Sequence, residues 1–124
     1  MSLKRTIAAS LLVMGLTTCP ARAEEQRPYD NQLLRLAELL GAVHYLRELC
    51  GANDGQLWRE KMDALVDAEG TSALRRARLV QSFNKGYRSY RRTYQTCTKS
   101  AETAVARFLA EGAEIADTVS ASGT

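Results

Sequence analysis

The stretch 71–99, TSALRRARLVQSFNKGYRSYRRTYQTCTK, decides how this chain reads, because its apolar residues recur every three or four positions. Val80, Phe83, Tyr87, Tyr90, Tyr94 and Cys97 fall on one stripe of a helical cylinder, and Thr71 or Ser72 is placed to cap its start. On this pattern Cys97 belongs to the buried seam. Gly86, inside the helix, costs about 1 kcal/mol relative to alanine and marks a close helix approach or a kink.

Upstream, Pro28-Tyr29-Asp30 is an entry turn with Asp30 or Asn31 as helix cap, and a first helix runs to about Cys50. Its apolar set (Leu33, Leu36, Leu40, Val43, Leu46, widened by Leu34, Ala37, Leu39 and Leu49) is too broad for a surface helix and predicts the central element. Gly51 follows where a left-handed residue ends a helix cheaply. Gln56 to about Glu69 is a second amphipathic helix through Trp58, Met62, Leu65 and Val66, closed by Gly70. Downstream, Thr98 or Ser100 caps a fourth helix, with Val105, Phe108, Leu109, Gly112, Ile115, Ala116 and Val119 directed inward. There is no internal repeat and no strand pattern. Short turns between four helices predict an all-α, up-down-up-down four-helix bundle.

The amino-terminal segment has a different purpose. Lys4 and Arg5 precede an apolar run from Ile7 to Leu16, long enough for a signal core and too short to span a bilayer, and Ala21-Arg22-Ala23 supplies a cleavage site. Residues 1–23 thus read as a cleavable secretory signal peptide, cut before Glu24. Residues 24–124 form one helical domain with an ordered core at about 29–119. A lipid anchor on Cys19 is the alternative; Thr18, where lipid processing favours a small residue, argues against it. Cleavage removes Cys19 and leaves Cys50 and Cys97 as an even pair in an oxidising compartment, which predicts a disulfide. Closing a loop 47 residues long is worth about 4 kcal/mol in the chain-entropy model. A redox or metal pair would sit closer in sequence, as Cys-x-x-Cys.

Lys4, Arg5 and Arg22 take three of the 17 basic residues, leaving 14 against 14 acidic ones. Neutrality argues against nucleic acid as a partner. The charge is segregated, however: residues 71–99 hold eight basic side chains and no acidic one. Arg75, Arg78, Lys85, Arg88, Arg91 and Arg92 make a candidate binding face, able to grip carboxylate or phosphate. The competing reading pairs them with Glu38, Glu48, Asp63, Asp67, Glu111 and Glu114 of neighbouring helices. Tyr87, Tyr90 and Tyr94 have the spacing of core residues with polar tips at the rim. His44 is the single histidine, without the companions a metal site or a catalytic triad needs, and Asp63 with Asp67 has the spacing of a solvated helix face. No phosphate loop, zinc spacing or cofactor motif is present.

Several segments together resemble a known family: Arg27-Pro28-Tyr29-Asp30, Leu39-Leu40-Gly41-Ala42-Val43-His44-Tyr45-Leu46-Arg47, Leu49-Cys50-Gly51, Gln56-Leu57-Trp58-Arg59, Phe83-Asn84-Lys85-Gly86-Tyr87-Arg88 and Thr93-Tyr94-Gln95-Thr96-Cys97. They are similar to an uncharacterised family of small exported alphaproteobacterial proteins with two well-separated cysteines. The resemblance implies a periplasmic address and a disulfide, and brings no activity and no catalytic residues. The expected function is a non-enzymatic interaction module that binds an envelope protein through the basic face. An anionic cell-wall or lipid ligand is the alternative, and an enzyme the third reading. Neither a cofactor nor an oligomeric state is indicated.

Overall fold

The structure, a computed structural model, describes Gly15 and residues 26–122. The signal peptide expected at residues 1–23, its cleavage site and Cys19 lie outside the described residues, Gly15 apart. Four helices follow one another: α1 (Asp30–Leu49), α2 (Leu57–Glu69), α3 (Ala73–Thr93) and α4 (Lys99–Ser122), with no strand among the described residues.

Side-chain pairings fix their directions. Asp30 opening α1 meets Arg75 near the start of α3, and Cys50 just past α1 is bonded to Cys97 beyond α3, so α1 and α3 are parallel. Glu69, ending α2, pairs with Arg27 ahead of α1, and Glu111, midway along α4, pairs with Arg35 in the first half of α1. α2 and α4 therefore run antiparallel to α1, and the bundle is up-down-up-down.

α1 is apolar on nearly every side, and Leu33, Ala37, Leu39, Ala42, Val43 and Leu46 are all buried. It is the one helix whose Cα atoms come within 8 Å of all three others; α4 approaches α1 alone. A cleft consequently separates α2 from α4, lined by Leu36, Leu40, Val43, Trp58 and Leu109. Leu109, expected to point inward, is 39 % exposed on that cleft because no α2 backbone comes close enough to cover it.

α1 and α3 cross at a pair of glycines. A Cβ on Gly41 would overlap the Phe83 carbonyl oxygen, and one on Gly86 would overlap the carbonyl oxygen of Glu38. Gly86 thus marks a close approach. This contact sets the rotation of α3: Arg75, Leu79, Phe83 and Gly86 share the buried face. The expected stripe placed Val80 inward; Val80 is 44 % exposed and Leu79, one residue earlier, is 3 % exposed. Two adjacent apolar residues fit the spacing equally well, and the glycine contact selects between them.

The ends follow local chemistry. Ser72 Oγ accepts the Arg75 N–H at 3.1 Å, and Thr98 Oγ1 accepts the Ala101 N–H at 3.1 Å, the caps of α3 and α4. Past α1, Gly51 adopts φ +75°, with its N–H bonded to the Glu48 carbonyl and that of Ala52 to the Arg47 carbonyl, a Schellman ending. α3 stops earlier than its apolar pattern suggests. Tyr94 is extended (φ −120°, ψ 120°), and Cys97 sits exposed in the reversal between α3 and α4, not in the buried seam. An antiparallel α4 requires that reversal, and Cys97 lies within it, its Cα 4.9 Å from that of Cys50.

Candidate functional site

α3 turns its basic side chains to different fates. Arg75 is 7 % exposed, with its guanidinium fork on Asp30: Nη1 to Oδ2 at 2.8 Å and Nη2 to Oδ1 at 2.9 Å. Its Nε donates to the Glu69 carbonyl at 3.0 Å. Arg75 therefore leaves the candidate binding face and belongs to the core of the amino-terminal pole. The same contact corrects the capping role expected of Asp30, whose carboxylate accepts the Arg27 N–H at 3.0 Å but turns chiefly to Arg75. The hydrogen-bonded Arg75 guanidinium holds the Asp30 carboxyl below its ordinary range, against the opposing effect of burial.

Arg78, Lys85, Arg88, Arg91 and Arg92 are exposed. Gln81, Lys85, Arg88 and Arg92 repeat at three-four spacing on the helix side away from Gly86, so they form a ridge. Arg78 and Lys85, with Leu34, Gln81 and Ser82, line a shallow depression of about 360 Å³ beside it. The Arg91 guanidinium lies 5.8 Å from the Tyr87 ring centre. For Lys85, Arg88, Arg91 and Arg92, pairing with acidic neighbours is not what the structure shows. Glu38 and Glu111 are both engaged by Arg35 of α1, and among the described residues no carboxylate lies within 4 Å of the Lys85, Arg88, Arg91 or Arg92 charge. The ridge faces away from the helices that carry the acids, which is why the charges stay apart.

The tyrosines do pack. Tyr90 meets Phe108 edge-on at 5.0 Å, Tyr94 stacks parallel on Tyr90 at 6.4 Å, and Tyr87 meets Tyr45 edge-on at 5.4 Å. All three are half-buried. Burial raises the Tyr90 hydroxyl pKa above its ordinary value.

His44 is 8 % exposed, packed against Phe83 and Tyr87 with ring centres 6.1 and 5.7 Å away. It borders a polar hollow of about 300 Å³ that Glu48, Asn53 and Gln56 also line. Burial lowers its pKa, Glu48 opposes that shift, and Arg59 adds to it. Across the hollow Arg47 grips Asp54 at 2.7 and 2.8 Å, and the Trp58 indole N–H donates to the same carboxylate at 2.9 Å. Together they bring the Asp54 carboxyl down to about 2. This arrangement ties the turn to the start of α2, and sequence reasoning missed it; the four-residue step from Asp54 to Trp58 was its one visible trace. Asp63 and Asp67 are exposed. Among the described residues no group of three His, Cys, Asp or Glu side chains is placed to hold a metal ion, and no helix is long and apolar enough to cross a membrane.

Sequence reasoning also overlooked Tyr94, Lys99 and Arg107, which meet around a second cleft at the disulfide pole. Their spacing spans a helix end, so no single-helix pattern joins them.

Neither the curated proteins nor the solved structures offer a match to this chain. A family model described as "Protein of unknown function (DUF2385)" matches residues 28–122, from the entry turn through the last turns of α4. By that match the chain belongs to the DUF2385 family, whose function is unknown.

Proposed function

We propose that this protein is a non-enzymatic interaction module of the cell envelope that binds an acidic surface of a protein partner through the α3 ridge. The observation that carries the reading is the set of four exposed cations, Lys85, Arg88, Arg91 and Arg92, with no carboxylate within 4 Å among the described residues. Off the ridge, Arg27, Arg35, Arg47 and Arg75 hold acidic partners. Lys85, Arg88 and Arg92 on the ridge, with Arg91 on its flank, raise the local potential and steer an acidic partner toward it. The envelope address rests on the signal-peptide reading of residues 1–23, which gives the protein its oxidising compartment.

Crosslinking and affinity capture from envelope fractions tests this, comparing the wild type with a folded Arg88→Glu, Arg91→Glu, Arg92→Glu variant. A partner held by the wild type, released by salt and lost in the variant is the expected result. An unchanged capture profile would return the ridge to ordinary solvated surface.

A further inference from the structure

The cleft at the disulfide pole is open, about 320 Å³ in volume, and lined by Tyr94, Lys99, Ser100, Thr103, Ala104 and Arg107. It exists because no Cα of α4 comes within 8 Å of α3, so the 94–98 reversal and the first turns of α4 stand as two separate walls. Its size is at the lower end for small-molecule sites, about 300 Å³ and upward.

Its lining carries two cations and no carboxylate. Arg107 has an acidic neighbour one turn along α4, Glu111, but Arg35 takes that carboxylate with Nε and Nη2 at 2.8 and 3.0 Å. Among the described residues neither Arg107 nor Lys99 forms an ion pair within 4 Å. Their Cα atoms are separated by about 12 Å of helix rise, and both side chains are long enough to converge on a ligand between them. The remaining chemistry is that of sugar recognition. Tyr94 supplies an aromatic ring, and the Ser100 hydroxyl makes no hydrogen bond among the described residues. Thr103 Oγ1 donates to the Lys99 carbonyl at 3.0 Å and keeps lone pairs to accept.

The wall formed by the reversal is fixed before any ligand arrives. The Tyr45 hydroxyl donates to the Tyr94 carbonyl, and Cys97 ties the reversal to the end of α1. Preorganisation of this kind lowers the entropic cost of binding.

We infer that this cleft binds the acidic group of a saccharide, with Arg107 and Lys99 on the carboxylate or phosphate, Tyr94 against the apolar face of the ring and Ser100 on a ring hydroxyl. The site stands on residues off the α3 ridge and does not depend on the function proposed above.

The test is an amide-shift titration of the oxidised protein with N-acetylmuramic acid, N-acetylglucosamine 6-phosphate and neutral N-acetylglucosamine, with inorganic phosphate and lactate as the sugar-free acids. At least one acidic sugar is expected to shift residues 94–107 and to bind about tenfold or more tightly than the neutral one, the usual gain from a charge-assisted hydrogen bond. Which acid wins identifies its source. Lys99→Gln and Arg107→Gln alter exposed side chains and leave the helical circular dichroism intact; each should weaken that binding about tenfold. Failure of both acidic sugars to shift these residues would overturn the site. So would equal affinity for inorganic phosphate or lactate, which would leave the sugar no part. A loss on ridge charge reversal with Arg107→Gln unaffected would place the binding on α3 and refute the cleft.

Discussion

At the carboxyl end of α1 a covalent bond, Cys50–Cys97, ties the helix to the reversal that feeds α4; at its amino end the tie is ionic, Arg75 of α3 seated on Asp30 with Arg27 and Glu69 beside it. The difference follows the packing. The ionic end joins α1, α2 and α3, which already approach one another closely. α4 comes close to α1 alone, and its buried residues Ala101, Ala104, Val105 and Phe108 pack at the disulfide end with Leu39, Ala42, Val43 and Leu46. The covalent link thus holds the entry to the one helix whose backbone has a single close neighbour.

Removing the link is the strongest way to break this comparison. Reduction, or a Cys50→Ser, Cys97→Ser variant, should cost about 4 kcal/mol in chemical denaturation. Amide exchange should accelerate in α4 before α3; uniform acceleration would show that α4 does not depend on the disulfide more than the rest. At the opposite pole Arg75→Met leaves Asp30 without its fork and should cost about 3 kcal/mol, the low end for a broken buried pair because Asp30 keeps some contact with water. Its effect should fall on α2 and α3, leaving α4 exchange nearly unchanged. Gly86→Ala, midway between the poles, should cost about 2 kcal/mol by forcing α1 and α3 apart, and it should weaken both ends together. The smallest test is acid. A depressed carboxyl stabilises the fold above its unfolded value near pH 4 and loses that contribution as pH falls through the folded value. Asp30 should therefore release the ionic pole below about pH 4. A stability profile that stays flat from pH 5 to about pH 2 would contradict a functioning Asp30–Arg75 pair.

The sequence disclosed the four helices, their order and the cysteine pair, because apolar spacing and cap residues are local signals. What stayed hidden was tertiary. Arg75 reads like any other member of a basic run, and only the parallel placement of α1 and α3 brings it to Asp30. Leu79 and Val80 are adjacent and equally apolar; the choice between them was made by Gly41, in a different helix. Cys97 continued the stripe numerically, while the need to reverse the chain before α4 ended the helix first. The candidate face was legible as composition, yet whether acids from neighbouring helices reached it depended on which way α3 turns that face in the bundle. The cleft of Tyr94, Lys99 and Arg107 spans a turn and two helices, beyond any periodic pattern.

The glycine crossing has a bearing on how the thiols find each other. Gly41 and Gly86 meet backbone to backbone at one height only, so they index α3 against α1 like a notch in a ratchet. A slip of one helical turn, about 5.4 Å, would fill that notch with a side chain and carry the Cys97 Cα from 4.9 Å to beyond the roughly 7 Å limit for a disulfide. Within the folded bundle, then, the two sulfurs come within bonding reach in the register that the glycines set.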